Sequence, residues 1–123
     1  MFLLDTSAII EILEGTEKGR LIKEIVGNEP LATTALTIHE IVLWEEGASL
    51  EKALDFIHTT EILNYDFDSA MMSANIEKDL KKKGKMINKI DILIGGIAKQ
   101  HGLPIVVLDK DFENIPGIKV IVV

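Results

Sequence analysis

Phe2-Leu3-Leu4-Asp5-Thr6-Ser7 opens the chain with an apolar run that ends on an acid, and Ile105-Val106-Val107-Leu108-Asp109 repeats the pattern near the other end. Both runs read as short buried strands, and comparable runs stand at 31–34, 61–63 and 119–123. Helical spacing fills the intervals, over 8–13, 18–26, 38–46, 50–58, 69–83 and 89–101. Strands separated by helices predict an α/β fold whose central parallel sheet is covered on both faces. Gly15, Gly27, Gly47, Gly84 and Gly102 each follow a helical segment, where a residue free to adopt positive φ closes the last turn. In the last helix Ile90, Leu93, Ile94, Ile97 and Ala98 form a core-facing stripe, with Asp91 one step off it.

A chain of 123 residues that is 47% hydrophobic supports one ordinary core, so residues 1–123 are expected to form a single domain. With no Cys there is no disulfide and no thiolate ligand, so any metal must be held by oxygen or imidazole. The opening lacks a basic n-region and Asp5 interrupts its apolar stretch, which leads us to expect a cytoplasmic chain with no membrane span. The formal charge of −7 argues against non-specific duplex binding. Against that balance, Lys78, Lys81, Lys82, Lys83, Lys85 and Lys89 gather into a local basic patch, whose plainer reading is a solvated helix end. Apolar residues around Leu43-Trp44 and between Leu50 and Phe56 exceed what one small sheet needs, and predict a homodimer.

Ligand sites of open parallel sheets lie beyond the carboxyl ends of the strands. Asp5 and Asp109 stand there, although each could equally cap the helix or turn that follows. Glu40 and Asp91 are two more candidates. Thr37-Ile38-His39-Glu40 fits a capping box and Asn88-Lys89-Ile90-Asp91 resembles one, so both acids also have a purely structural explanation. All four can be placed at one edge of the sheet. Like charges about 5 Å apart repel by roughly 3 kcal/mol at an effective dielectric of 20, so such a cluster needs protonation or a cation. Mg²⁺ or Mn²⁺ suits an all-oxygen site that also takes substrate phosphate, and the chemistry implied is phosphodiester hydrolysis.

Several segments in this order resemble the PIN-domain pattern: Leu3-Leu4-Asp5-Thr6-Ser7, Thr37-x-x-Glu40, Phe67-Asp68-x-Ala70, and Gly84-x-x-Ile87-x-x-x-Asp91-x-Leu93-Ile94 followed by Ala98. The ending Val107-Leu108-Asp109-Lys110-Asp111-Phe112 through Ile118 fits it too. The resemblance, which spans nearly the whole chain, implies a three-layer α/β/α fold and a metal-dependent ribonuclease of the VapC-like toxin type. It implies Asp5, Glu40, Asp91 and Asp109 as the acidic catalytic core and Mg²⁺ (or Mn²⁺) held by Asp5, Asp91, Asp109 and Asp111. Thr6 or Ser7 would support the first acid. RNA as substrate, a cognate antitoxin protein and a homodimer complete the expectation. Gly95-Gly96 departs from the pattern, which has alanines there, and close helix packing would explain it. Which of Asp109 and Asp111 lies nearer the metal stays open.

Rival readings fit less well. An aspartyl-phosphatase of the haloacid dehalogenase type needs a second acid two residues after the first, where Ser7 stands. A phospho-receiver domain needs an acceptor Asp at the end of its third strand, where Glu61-Ile62-Leu63 runs into Asn64. His39, His58 and His101 are too scattered for zinc. The remaining alternative is a non-catalytic PIN-like module that binds RNA or protein, which the presence of all four acids disfavours.

Overall fold

Alternation along the strands decides which residues serve which face. Leu3, Ile105 and Val107 are buried in one apolar cluster, and Leu4 and Val106 in a second, because successive strand side chains point to opposite sides of a sheet. The computed structural model describes residues 1–123. Its strands are β1 (Phe2–Leu4), β2 (Leu31–Thr34), β3 (Glu61–Leu63), β4 (Ile105–Val107) and β5 (Val120–Val122). They pair in parallel throughout, in the order β3-β2-β1-β4-β5. The chain therefore moves outward from β1 in one direction, returns, and moves outward in the other from β4. The boundary between β1 and β4 is the topological switch point, where a crevice opens in sheets of this kind.

Four helices cover one face: α1 (Thr6–Glu14), α2 (Glu17–Val26), α3 (Ala35–Trp44) and α4 (Gly47–Ile57). Ala8, Ile9, Ile12, Ile22, Val26, Ile41, Ala53 and Ile57 from these helices pack with Leu4 and Val106. On the other face α5 (Phe67–Lys83) and α6 (Lys89–His101) bring Ile76, Leu80, Ile92, Ile94, Ile97 and Ala98 onto Leu3, Ile105 and Val107. The result is the expected three-layer α/β/α arrangement. A short 3₁₀ helix (Lys110–Asn114) follows β4 and buries Phe112. No helix is long and apolar enough to cross a membrane.

Helices begin two or three residues before the apolar spacing suggests in α1, α3 and α5. The cause is capping: Asp5, Thr34 and Asp66 accept hydrogen bonds from the third backbone N–H that follows, and the turn forms ahead of the first core contact. Gly47 is a correction. The preceding helix already ends at Trp44, and Gly47, with φ of 58°, opens α4 after two extended glutamates.

The stripe read on α6 is also imprecise, since Leu93 is only partly buried and joins neither apolar cluster. Ile92, Gly95 and Gly96 are buried as well, because this helix packs on the sheet and on α5 together. A Cβ on Gly96 would lie 2.7 Å from Ser73 Cβ and 2.8 Å from the Ser69 carbonyl oxygen, and one on Gly95 would lie 2.8 Å from Ile115 Cδ1. Close approach of α5 thus explains Gly96, and the Ile115 side chain that follows the 3₁₀ helix explains Gly95.

Candidate active site

Asp5 sits where β1 ends and α1 begins. Its Oδ1 accepts from the Ala8 N–H at 2.9 Å, and Ser7 Oγ donates to both carboxylate oxygens, at 2.9 and 3.0 Å. Capping and pocket roles are thus not alternatives here. The same carboxylate that starts α1 lines a pocket of about 330 Å³ with Thr6, Ser7, Glu40, Asp91, Ile94, Asp109 and Phe112. Asp109 repeats the device after β4: its Oδ1 accepts from the Asp111 N–H at 2.8 Å while it lines the same pocket.

Glu40 and Asp91 do not cap. The cap of α3 is Thr34, whose Oγ1 accepts from the Thr37 N–H at 3.1 Å, so the box expected between Thr37 and Glu40 does not form. Glu40 instead lies further along α3 and accepts from Thr6 Oγ1 at 2.6 Å. Of the two hydroxyls expected to support the first acid, Ser7 does so, whereas Thr6 joins α1 to α3. At α6, Asn88 Oδ1 accepts from the Ile90 N–H at 2.9 Å, and Asp91 on the same turn faces the pocket. Asp111 lies outside the lining, although its charge reaches Asp91. Asp109 is therefore the nearer of the pair to the pocket.

Exposure grades across the site, from Asp5 at 6% through half-buried Glu40 and Asp91 to exposed Asp109. Burial pushes the Asp5 carboxyl up to about 6, against the lowering effect of the Ala8 and Ser7 bonds, with Glu40 and Asp109 adding repulsion. Asp91 is pushed up to about 7, first by burial and then by the charges of Asp5, Asp109, Glu40 and Asp111. The protein thus confines negative charge that it does not itself neutralise. An all-oxygen donor set of this kind fits a hard divalent cation. No three of these side chains close into a coordination shell on their own.

Size does not select this pocket. A second cleft of about 330 Å³ lies between α1 and α4, lined in part by Leu13, Glu14, Glu45 and Lys52. There Glu14 and Glu45 share the lining with Lys52, whose Nζ donates to the Leu13 carbonyl at 2.7 Å, so opposite charges meet instead of four acids. The four converging carboxylates lie at the switch point.

The PIN domain family model matches residues 2–118. The chain belongs to the PIN domain family. Among relatives of this family, the "tRNA(fMet)-specific endonuclease VapC" of Salmonella typhimurium is 32% identical, covering 97% of this chain and 95% of its own length. The "Ribonuclease VapC5" of Mycobacterium tuberculosis is 30% identical over 93% of this chain and 87% of its own. PIN architecture recurs in solved structures. The DNA-bound VapBC complex of Salmonella typhimurium contains a chain that superposes with a TM-score of 0.79 at 30% identity, covering 98% of this chain and 96% of that one. The VapBC-5 toxin–antitoxin structure of Mycobacterium tuberculosis gives 0.76 at 26% identity, covering 99% and 98%.

Sequence reasoning placed Asp5, Glu40, Asp91 and Asp109 together, and they do share the PIN pocket. It did not foresee the Thr6–Glu40 bond, whose partners are 34 residues apart and carry no local signal of each other. Ile94 and Phe112 form apolar lining that their core-like patterns did not distinguish from ordinary packing.

Proposed function

We propose that this chain is a divalent-metal-dependent ribonuclease that hydrolyses RNA phosphodiester bonds as the toxin of a toxin–antitoxin pair. The observation that carries this is the convergence of Asp5, Glu40, Asp91 and Asp109 on one pocket at the sheet's switch point. Asp5, Asp91 and Asp109 would hold Mg²⁺ or Mn²⁺, with Asp111 adding negative potential from the rim. A bound ion supplies charge neutralisation and Lewis-acid polarisation of a phosphoryl oxygen. Ser7 fixes the Asp5 carboxylate and Thr6 orients Glu40. Glu40 keeps its second oxygen to accept a proton from the attacking water, as a general base. Water adds to phosphorus, the bridging P–O bond breaks, and the departing ribose oxygen takes up a proton.

Related VapC proteins are named as endonucleases or ribonucleases, and VapBC structures pair such a chain with an antitoxin. By extension an antitoxin protein is this chain's partner, and its RNA substrates place its work in the cytoplasm. A homodimer through the end of α3 is part of the proposal, since Val42, Leu43 and Trp44 are exposed to 49%, 61% and 78%. Leu50, Leu54 and Phe56 pack onto their own chain's core instead, which narrows the dimer surface anticipated from the sequence. Sedimentation showing only monomer at micromolar concentration would reject the dimer.

The deciding experiment is cleavage of a structured RNA by the wild type and by Asp5→Asn, with Mg²⁺, Mn²⁺ or EDTA. Cleavage that needs metal and Asp5 supports the ribonuclease. Cleavage that persists in EDTA, or equal cleavage by both proteins, defeats it. Binding of RNA without cleavage under any metal condition would favour the non-catalytic PIN-like module.

A further inference from the structure

The last turns of α5 and the first turn of α6 form a basic corner, linked to the acid pocket through Asp91 on that first turn. Lys89 Nζ donates to both oxygens of Glu77 at 2.7 Å, and Lys81 Nζ lies 3.6 Å from the same carboxylate. These lysines hold the Glu77 carboxyl below the usual range. Lys83 pairs with Asp79 at 2.9 Å. The Glu77–Lys89 pair crosses from α5 to α6, so it fastens the lysine-bearing end of α5 next to residue 89. Asp91, which lines the pocket, follows on the same helical turn. Lys78, Lys82 and Lys85 are exposed and have no carboxylate within 4.0 Å.

Half of the lysines in this patch are therefore neutralised by the protein's own acids and half are free. A polyanion entering a pocket of four carboxylates on a chain of charge −7 is repelled unless cations border its path. We propose that this corner is the RNA-backbone subsite of the pocket: Lys82 and Lys85 contact phosphates flanking the scissile bond, while Glu77 acts as a competing anion that withholds Lys81 and Lys89. This rests on the ribonuclease reading and adds the substrate contact to it. Such contacts set the strand's position and not its sequence. The plainer role, lysines offsetting the negative end of the α5 dipole, affects helix stability and leaves RNA affinity alone.

The two roles separate in a binding titration. A short fluorescein-labelled single-stranded RNA is titrated by anisotropy at several salt concentrations, with every variant in an Asp91→Asn background so that the strand stays intact. Lys82→Gln/Lys85→Gln is expected to weaken binding several-fold and to flatten the dependence of log K on log salt by about 1.4, the loss of two single-strand phosphate contacts. Glu77→Gln is expected to tighten binding and steepen that slope. Lys18→Gln/Lys23→Gln, on the opposite face, should leave both unchanged. In chains with Asp91 intact, KM should follow the same order while kcat holds.

An unchanged slope in Lys82→Gln/Lys85→Gln overturns the subsite, as does weaker binding by a Glu77→Gln protein that melts like its parent. Should Glu77→Gln fold poorly, the two exposed lysines decide the matter alone. Absence of cleavage by the wild type defeats the ribonuclease reading but not the subsite, which the anisotropy judges separately.

Discussion

Replacing Asp91 with Asn removes one charge from the cluster at nearly constant side-chain size. The Asp91 carboxyl is raised from 3.8 to about 7, and each pKa unit is worth about 1.36 kcal/mol, so the ionised side chain costs the fold at most about 4 kcal/mol. Asp91 is partly open to solvent, and screening reduces this to about 2 kcal/mol. Losing an acid from the first turn of α6 gives back about 0.3–1 kcal/mol of helix-dipole stabilisation. The variant should therefore be about 1–2 kcal/mol more stable than the wild type at pH 8 without metal, a rise of roughly 4–8 °C in Tm.

The sign with pH follows from a pKa raised on folding. The group's favourable contribution is fully present below the unfolded value near 3.8 and is lost as pH rises through about 7. The gap between the two proteins should shrink at pH 5, where the folded wild type is already protonated. Thermal melts in EDTA at pH 5 and pH 8, with RNA cleavage in Mg²⁺ beside them, test the chain of reasoning. A variant that is no more stable at pH 8, or one that cleaves RNA like the wild type, refutes it. Equal cleavage is the outcome if Asp91 lines the pocket without taking part in the chemistry, since Asn88 and not Asp91 caps α6.

Metal should compete with protons for these carboxylates: Mg²⁺ is expected to raise the wild-type Tm more at pH 8 than at pH 5, reaching about 2.7 kcal/mol of stabilisation at a hundredfold excess over Kd. Equal shifts at both pH values would mean that the raised carboxyls of Asp5 and Asp91 do not bind it. Thr6→Val frees Glu40 from its 2.6 Å bond and should lower kcat roughly tenfold to a hundredfold while costing only about 1 kcal/mol in urea unfolding. Gly96→Ala should destabilise the fold by about 1–3 kcal/mol in the same assay, because its Cβ would meet Ser73 and the Ser69 carbonyl at under 3 Å. A native-like unfolding midpoint for Gly96→Ala would show that α5 and α6 can separate at little cost.

The strands and helices were legible from the sequence because apolar period and cap chemistry are local properties, and the acids after Phe2-Leu3-Leu4 and Ile105-Val106-Val107-Leu108 were legible because a parallel sheet brings its strand ends to one side. Capping was less decidable, since Thr37-x-x-Glu40 satisfies a box motif that Thr34 in fact pre-empts three residues earlier. Other features depended on partners distant in sequence. Thr6 finds Glu40, Lys89 finds Glu77, and Gly96 is required by Ser69 and Ser73, all across helices whose relative placement no local pattern encodes. Residue type and period set what each segment becomes and which face it buries. Only the packing of α1 on α3 and of α5 on α6 decides which hydroxyl holds which acid and which lysines remain free, because those outcomes depend on distances that arise when the layers close.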